Sequence, residues 1–145
     1  MDSATITASG SNNYTFLECG FTPPDGKVFS GWKYRTDTDA STNTYIPGNS
    51  IRISKDITVI AQWADPAAEV TIDGTTTNYG TLELAAKAVE GKTATVKLLD
   101  NVTLTEHLTF NATNLTLDLN DKSISNHYLT LCNSVTIIGP GTLQG

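Results

Sequence analysis

The chain has 145 residues, of which 39% are hydrophobic and 17% are charged, and its nine basic and 15 acidic residues give a net charge of −6. This apolar content excludes general disorder, and the length suits one medium domain or two small ones. The acidic balance, without any basic cluster, argues against a nucleic-acid partner. Apolar runs extend over only a few residues, so no membrane insertion is predicted.

Alternating apolar residues predict two strands before residue 64. In "DITVIAQW" every second residue from Ile57 to Trp63 faces one side of a strand, and "NSIRIS" directs Ile51 and Ile53 inward. Residues 54–56 are polar and few enough for a hairpin turn. The two strands are therefore predicted to pair with each other antiparallel.

Large aromatic residues are concentrated in the first half, where eight of the 11 lie at or before position 63. Around the loop "ECGFTPPDGKVFSGW", Phe21, Trp32 and Tyr34 are candidate ligand-contact residues that would stack on a sugar or grip a peptide. The favoured alternative is that they form the core, because a domain this small needs each large aromatic to bury enough apolar surface.

Three motifs in this half resemble the Listeria/Bacteroides repeat, the family that includes the internalin B-repeat. They are an aromatic-Gly-Trp unit at residues 29–32, a Tyr-x-Pro-Gly turn at residues 45–48 and an Ala-x-Trp unit at residues 61–63. The resemblance covers about residues 4 to 63. It implies a ubiquitin-like β-grasp fold and an extracellular or cell-surface location in bacteria.

The composition changes near residue 64, and "ADPAAE" marks the boundary because Pro66 excludes Asp65 from the helical region. We predict a first domain over 1–64, a linker over 65–68 and a second domain over 69–145. Cys19 and Cys132 fall in different domains, with neither a CxxC motif nor a histidine close in sequence. They are interpreted as small buried hydrophobic residues, without a disulfide, metal or cofactor.

A hairpin and a helix are predicted at the start of the second domain. Asp73-Gly74 separates two β-prone runs and is a strong hairpin signal. In "TLELAAKAVEG" the small apolar residues recur at helical spacing, Thr81 is the expected N-cap, and Gly91 suits the left-handed position after the last turn. We expect this helix to lie on a sheet or to cap one end of the core.

The remaining sequence repeats at intervals near 20 residues. Five pairs of apolar residues align, with offsets of 21, 20, 20, 20 and 19: Leu108/Leu129, Phe110/Leu131, Leu115/Val135, Leu117/Ile137 and Ile124/Leu143. An earlier copy is expected to place Leu98, 19 positions before, against Leu117. Short alternating strands at this spacing predict a stacked solenoid, with asparagines laddering at the coil corners.

Residues 69–145 resemble the first coils of a right-handed parallel β-helix of the pectin-lyase-like superfamily, through the capping helix, "TLDLNDKSI" and "VTIIGPGTLQG". The fold class is therefore predicted to be mainly β. A small β-grasp-like repeat is followed by the helix-capped start of a right-handed parallel β-helix.

The carboxylates of the coils do not predict an active site. Calcium-dependent lyases and glycosidases need clustered or paired carboxylates. The candidates are Asp100, Glu106, Asp118 and Asp121, and Ile138 stands one coil after the outward-facing Asp118. We therefore predict that the protein is not an enzyme.

Two histidines, His107 and His127, lie 20 residues apart and would chelate a metal if they stacked. The five-pair alignment instead sets His107 opposite Tyr128. Solvent-facing positions beside the coil corners are the favoured interpretation.

We expect a non-catalytic spacer or adhesive module, a fragment of a larger bacterial protein that is secreted or attached to the cell wall. Its expected partner is a host or cell-wall glycan or protein. One alternative is the N-terminal part of a polysaccharide-binding or polysaccharide-degrading β-helix protein. Another is a module that binds a peptide along the β-grasp edge strand.

The last coil lacks a capping helix comparable to the one predicted over residues 81–90. We expect this open end to be continued by further coils or to associate with a second copy of the chain.

Overall fold

A computed structural model describes residues 3–6, 12–126 and 128–144. The protein is mainly β. Its contacts divide it into two compact units, residues 1–64 and 65–145. Within the described part of the chain, no helix is long and apolar enough to cross a membrane.

The first unit is built from strands. They are β1 (Ser3–Ile6), β2 (Asn12–Thr15), β3 (Val28–Arg35), β4 (Ser50–Ile53) and β5 (Ile57–Ala64). The antiparallel order β1-β5-β3 forms one sheet, and β2 and β4 form an antiparallel pair.

The predicted hairpin between β4 and β5 is wrong. β5 is the central strand of its sheet, so β1 and β3 occupy both of its hydrogen-bonding edges. β4 pairs instead with β2, where Ile51 lies opposite Tyr14. Residues 54–56 therefore connect two sheets rather than two neighbours in one sheet.

The core of the first unit lies on the inward faces of these strands. Its buried members are Phe16, Trp32, Ile53, Ile57, Val59 and Ala61. The alternation predicted for β5 is confirmed, because its buried positions recur at every second residue from Ile57 to Ala61. Aromatic residues from the loops and from β3 complete the core at its margin.

The second unit begins with the hairpin of β6 (Ala68–Ile72) and β7 (Thr75–Tyr79). The two-residue turn predicted at this point is confirmed, since Asp73 and Gly74 both have positive φ, 50° and 79°. Ala67 also donates its N–H to the carbonyl oxygen of Tyr79. Residues 67 and 68, predicted as linker, thus already belong to the second unit.

The predicted helix is confirmed as α1 (Leu82–Ala88). Thr81 caps it, because its side-chain oxygen accepts a hydrogen bond from Leu84 N at 3.2 Å. Gly91 has the expected positive φ of 68°. The small apolar face of α1 is buried, and the helix contacts β6, β7 and β10.

The described residues after α1 form eight further strands. They are β8 (Thr93–Leu98), β9 (Val102–Leu104), β10 (Leu108–Phe110), β11 (Asn114–Asp118), β12 (Lys122–Asn126), β13 (Leu129–Leu131), β14 (Ser134–Ile138) and β15 (Gly141–Leu143).

These strands form three parallel ladders, in which each strand pairs with the third strand after it. The ladders are β8-β11-β14, β9-β12-β15 and β10-β13. All five predicted pairs are confirmed in register. The expected position of Leu98 is wrong, because Val96 is the residue of β8 that lies opposite Leu117.

The core of the second unit fills the space between the ladders. Leu104, Phe110, Leu115 and Leu117 are fully buried. At one end, β6 pairs antiparallel with β8 and α1 packs against β10. At the other end, burial falls along β14 and β15, whose residues are mostly exposed.

Candidate functional site

The three candidate ligand-contact aromatics lie in the core cluster of the first unit rather than on an open platform. Trp32 is only 5% exposed, and its indole Nε1 donates to the carbonyl oxygen of Leu17 at 2.8 Å. Phe21 and Phe29 meet the Trp32 ring edge to face, with centroids 6.1 and 5.2 Å away. Trp32 therefore offers no open ring face to a ligand, whereas Phe21 and Tyr34 are half-buried.

Tyr34 belongs to a second group of rings at the margin of this core. Phe16 stacks on Tyr45 with 4.9 Å between centroids, and Tyr34 lies 5.8 Å from Tyr45. Burial first, and then the charge and hydrogen bond of the Tyr45 hydroxyl, raise the pKa of Tyr34 above 10.0. Burial alone raises the pKa of Tyr14. These phenols remain protonated at neutral pH.

An open depression of about 440 Å³ lies at the end of β3 and the start of β5. It is lined by Arg35, Thr36, Asp37, Asp56, Ile57 and Thr58. This depression is not predicted from the sequence, because its lining residues come from two segments that are distant along the chain. The available sequence signal for this depression is the presence of charged residues at the end of β3, Arg35 and Asp37, and just before β5, Asp56. The lining carries charges of both signs, and the depression is open to solvent.

Of the candidate carboxylates of the second unit, Asp118 ends strand β11, and Asp100 and Asp121 lie between strands. Asp118 Oδ1 accepts a hydrogen bond from Asn120 N at 3.0 Å, and Asp100 Oδ1 accepts one from Asn101 N at 2.8 Å. Asp121 is exposed with a φ of 60°. The register also places Asp118 between Lys97 and Ile138, so no acidic row forms there. Among the described residues no group of three or more His, Cys, Asp or Glu could hold a metal ion.

His107 lies against Tyr128, as the alignment predicted, with ring centroids 6.4 Å apart. Its Nε2 is 2.6 Å from Thr130 Oγ1. His127 lies outside the described residues, so the stacked-histidine alternative stays a prediction. Cys19 and Cys132 are both half-buried, rather than fully buried as expected.

Asparagine side chains connect successive strands of each ladder at the corners. Asn120, Asn126 and Asn133 donate through Nδ2 to the carbonyl oxygens of residues 98, 104 and 112, at 2.9, 3.0 and 2.8 Å. The predicted asparagine ladder is confirmed, because Asn133 also reaches Asn111 Oδ1 at 3.3 Å. All three donors have positive φ, which asparagine tolerates better than most residues.

Comparison with protein-family models, with curated proteins and with solved structures found no match to this chain.

Proposed function

We propose that the chain is a non-catalytic spacer or adhesive module of a bacterial secreted or cell-surface protein. In this proposal residues 1–64 are a β-grasp-like repeat of the Listeria/Bacteroides type. The second unit is the helix-capped start of a right-handed parallel β-helix. The three parallel ladders, with α1 packed against β10, support the second assignment.

The observation that carries the proposal is the use of polar side chains at the corners. Asn120, Asn126 and Asn133 each donate to a backbone carbonyl oxygen 21 or 22 residues earlier, in a strand or shortly after one. Such bonds stiffen a stacked scaffold, because each satisfies a carbonyl group that a sharp corner leaves unpaired. The carboxylate of Asp118 is likewise engaged in its own turn. These groups support a rigid framework rather than a reaction.

Incubation with polysaccharides tests the proposal. Pectin, pectate, alginate and chitin are offered with and without Ca²⁺, and released sugars or unsaturated products are measured. We expect no turnover. Product release that disappears in an Asp118→Asn variant, which keeps the size of the side chain, would establish an active site and overturn the proposal.

The depression bounded by Arg35, Asp37 and Asp56 favours a second candidate, a polysaccharide-binding or polysaccharide-degrading protein of which this chain is the N-terminal part. Affinity electrophoresis in soluble glycans tests the binding function. Mobility shifts that Arg35→Ala and Asp37→Ala reduce would support it. Leu17→Ala is the matched control, because Leu17 is a 67% exposed apolar residue of the same unit.

A further inference from the structure

Two Asp-Gly pairs occur in the chain, Asp25-Gly26 and Asp73-Gly74. An aspartate followed by glycine can rearrange without an enzyme. The amide nitrogen of the glycine attacks the side-chain carboxyl carbon, the new C–N bond closes a five-membered imide ring, and one carboxyl oxygen leaves as water. Glycine favours this step, because it has no Cβ to hinder the attack and its backbone reaches many dihedral angles. Both pairs therefore carry the groups that the rearrangement needs.

Water then opens the imide ring at one of its two carbonyl carbons. Attack at the side-chain carbon restores aspartate. Attack at the backbone carbon gives isoaspartate, in which the main chain runs through the former side chain and the former backbone carbonyl group becomes a carboxylate. The water lost in closing the ring is replaced when the ring opens, so the mass of the chain is unchanged and the reaction needs no oxidant, reductant or cofactor.

The first pair lies in the loop between β2 and β3, residues 16–27, which forms no strand. The turn around Asp25 is closed by a hydrogen bond from Lys27 N to the Pro24 carbonyl oxygen at 3.0 Å. Asp25 and Gly26 are both exposed, and a Cβ on Gly26 would meet no described atom within 4 Å beyond its chain neighbours. The imide ring can therefore close here without displacing a packed side chain or separating two strands.

The second pair is also exposed, but strands adjoin it on both sides. Ile72 lies opposite Thr75, and the pairing of β6 with β7 continues over the whole length of both strands. β6 is also paired with β8 on its other side. A closed ring requires the peptide group after Asp73 to rotate towards the side chain, out of the left-handed turn, at a φ of 50°, that sets the register of this hairpin. The hairpin therefore has to open before Asp73 can react.

We propose that Asp25 is a site of spontaneous isoaspartate formation in the folded protein, and that the hairpin of the second unit protects Asp73 from the same reaction. The reacting dipeptide is the same at both sites, so sequence alone does not separate them. Asp25 reacts from the folded state, whereas Asp73 reacts only from the locally opened state in which β6 and β7 separate. This proposal is independent of the proposed function, because it depends only on the two turns.

Incubation of the folded chain in water enriched in oxygen-18 tests the proposal. A mildly acidic pH is used, because a protonated carboxyl group loses water more readily than a carboxylate. Each ring opening places one heavy oxygen in the chain, and peptide mapping in ordinary water then locates the label and separates isoaspartate from aspartate. Isoaspartate should accumulate at Asp25 more than about tenfold faster than at Asp73, because the paired hairpin keeps the reactive population of Asp73 small.

The same incubation in guanidinium chloride is the matched reference, since unfolding removes the strand pairing and leaves both dipeptides unchanged. The rate at Asp73 should rise until the two sites react at similar rates. Asp25→Glu is the control for the assignment, because a six-membered ring closes more slowly. The signal from position 25 should disappear in this variant, while circular dichroism shows the fold unchanged.

Equal rates at the two sites in the folded protein, or a faster reaction at Asp73, would overturn the proposal. A rate at Asp25 that rises on unfolding as much as the rate at Asp73 would also overturn it, because the loop would then have to open as well.

Discussion

The side chain of Asn120 donates from Nδ2 to the carbonyl oxygen of Leu98 at 2.9 Å, across 22 positions of the sequence. Asn120 also has a φ of 48°, and its backbone N–H donates a hydrogen bond to Asp118 Oδ1. One residue thus turns the chain at a corner and fixes that corner to the preceding strand of the stack. The two roles are separable by mutation.

Asn120→Ala should lower the free energy of unfolding of the second unit by about 2–3 kcal/mol. The loss combines about 1 kcal/mol for the hydrogen bond with about 1–2 kcal/mol for a left-handed alanine. Asn120→Gly should lower it by only about 1 kcal/mol. It loses the same hydrogen bond, but glycine adopts the left-handed conformation without strain. Hydrogen exchange of β8 and β11 measures the effect within this unit.

The control for this comparison is Asn114→Ala, at an exposed position of β11, which should change stability by less than about 0.5 kcal/mol. An Asn120→Ala variant as stable as this control would show that the corner bond contributes nothing.

Trp32→Ala should lower the stability of the first unit by about 3–5 kcal/mol, because the buried indole contacts Phe21 and Phe29 and leaves a large cavity. This is enough to unfold most domains of this size. Trp32→Phe keeps a ring but removes the donor to Leu17, and should cost less. Urea unfolding followed by the fluorescence of Trp63 reports on this unit alone, since both tryptophans lie in it.

Leu17→Ala is the control for the Trp32 variants, because it removes a large apolar side chain that is already exposed and leaves the carbonyl group in place. If Trp32→Ala kept full stability but lost glycan binding, the ligand platform would be the correct interpretation of this aromatic cluster.

Gly31→Ala should disrupt the bulge in β3. Gly31 lies where the register between β3 and β5 shifts, with a φ of 136°, and an added Cβ would meet the Thr44 side chain and stand 3.0 Å from the Tyr45 carbonyl oxygen. The backbone strain alone should cost about 1–3 kcal/mol. Gly20→Ala, which meets no atom within 4 Å and needs no positive φ, should be neutral in the same thermal melts. Equal melting temperatures for the two variants would contradict a strained position at Gly31.

Alkaline pH should destabilise the first unit. Tyr34 and Tyr14 have pKa values raised above 10.0 by burial, so the folded state holds these protons more tightly than the unfolded state. The resulting stabilisation is fully present below pH 10.0 and is lost as the pH rises through the raised pKa values. Denaturant midpoints from pH 8 to pH 12 measure how steeply the stability of the first unit falls with pH. Tyr34→Phe should flatten it, and an unchanged slope would show that Tyr34 does not titrate differently on folding.

Local pattern was enough to predict the hairpin at Asp73-Gly74, the helix after Thr81 and the five pairs of the ladders. Each depends on residues close in sequence or on an apolar spacing repeated from one strand to the next. Turn residues, caps and alternation act over a few positions and need no knowledge of distant contacts.

The candidate site was harder to predict from the sequence. The depression lined by Arg35 and Asp56 joins residues 21 positions apart, at the end of β3 and just before β5, which are brought together only by the pairing of these strands. Trp32 could be read either as a platform or as core, because composition reports that an aromatic is present and not which neighbours surround it.

The sequence by itself determined which residues face inward and where the chain turns, through side-chain alternation and the restricted dihedrals of its turn residues. Tertiary structure alone decided the pairings that local pattern and the 20-residue repeat leave open. A slip of two residues keeps every side chain on its face, so alternation could not distinguish Val96 from Leu98 as the neighbour of Leu117. Likewise, residues 54–56 permit a hairpin, but β5 pairs with β1 and β3 instead. Backbone hydrogen bonds form between the strands that the folded core places side by side, and residues near the turn do not determine which strands these are.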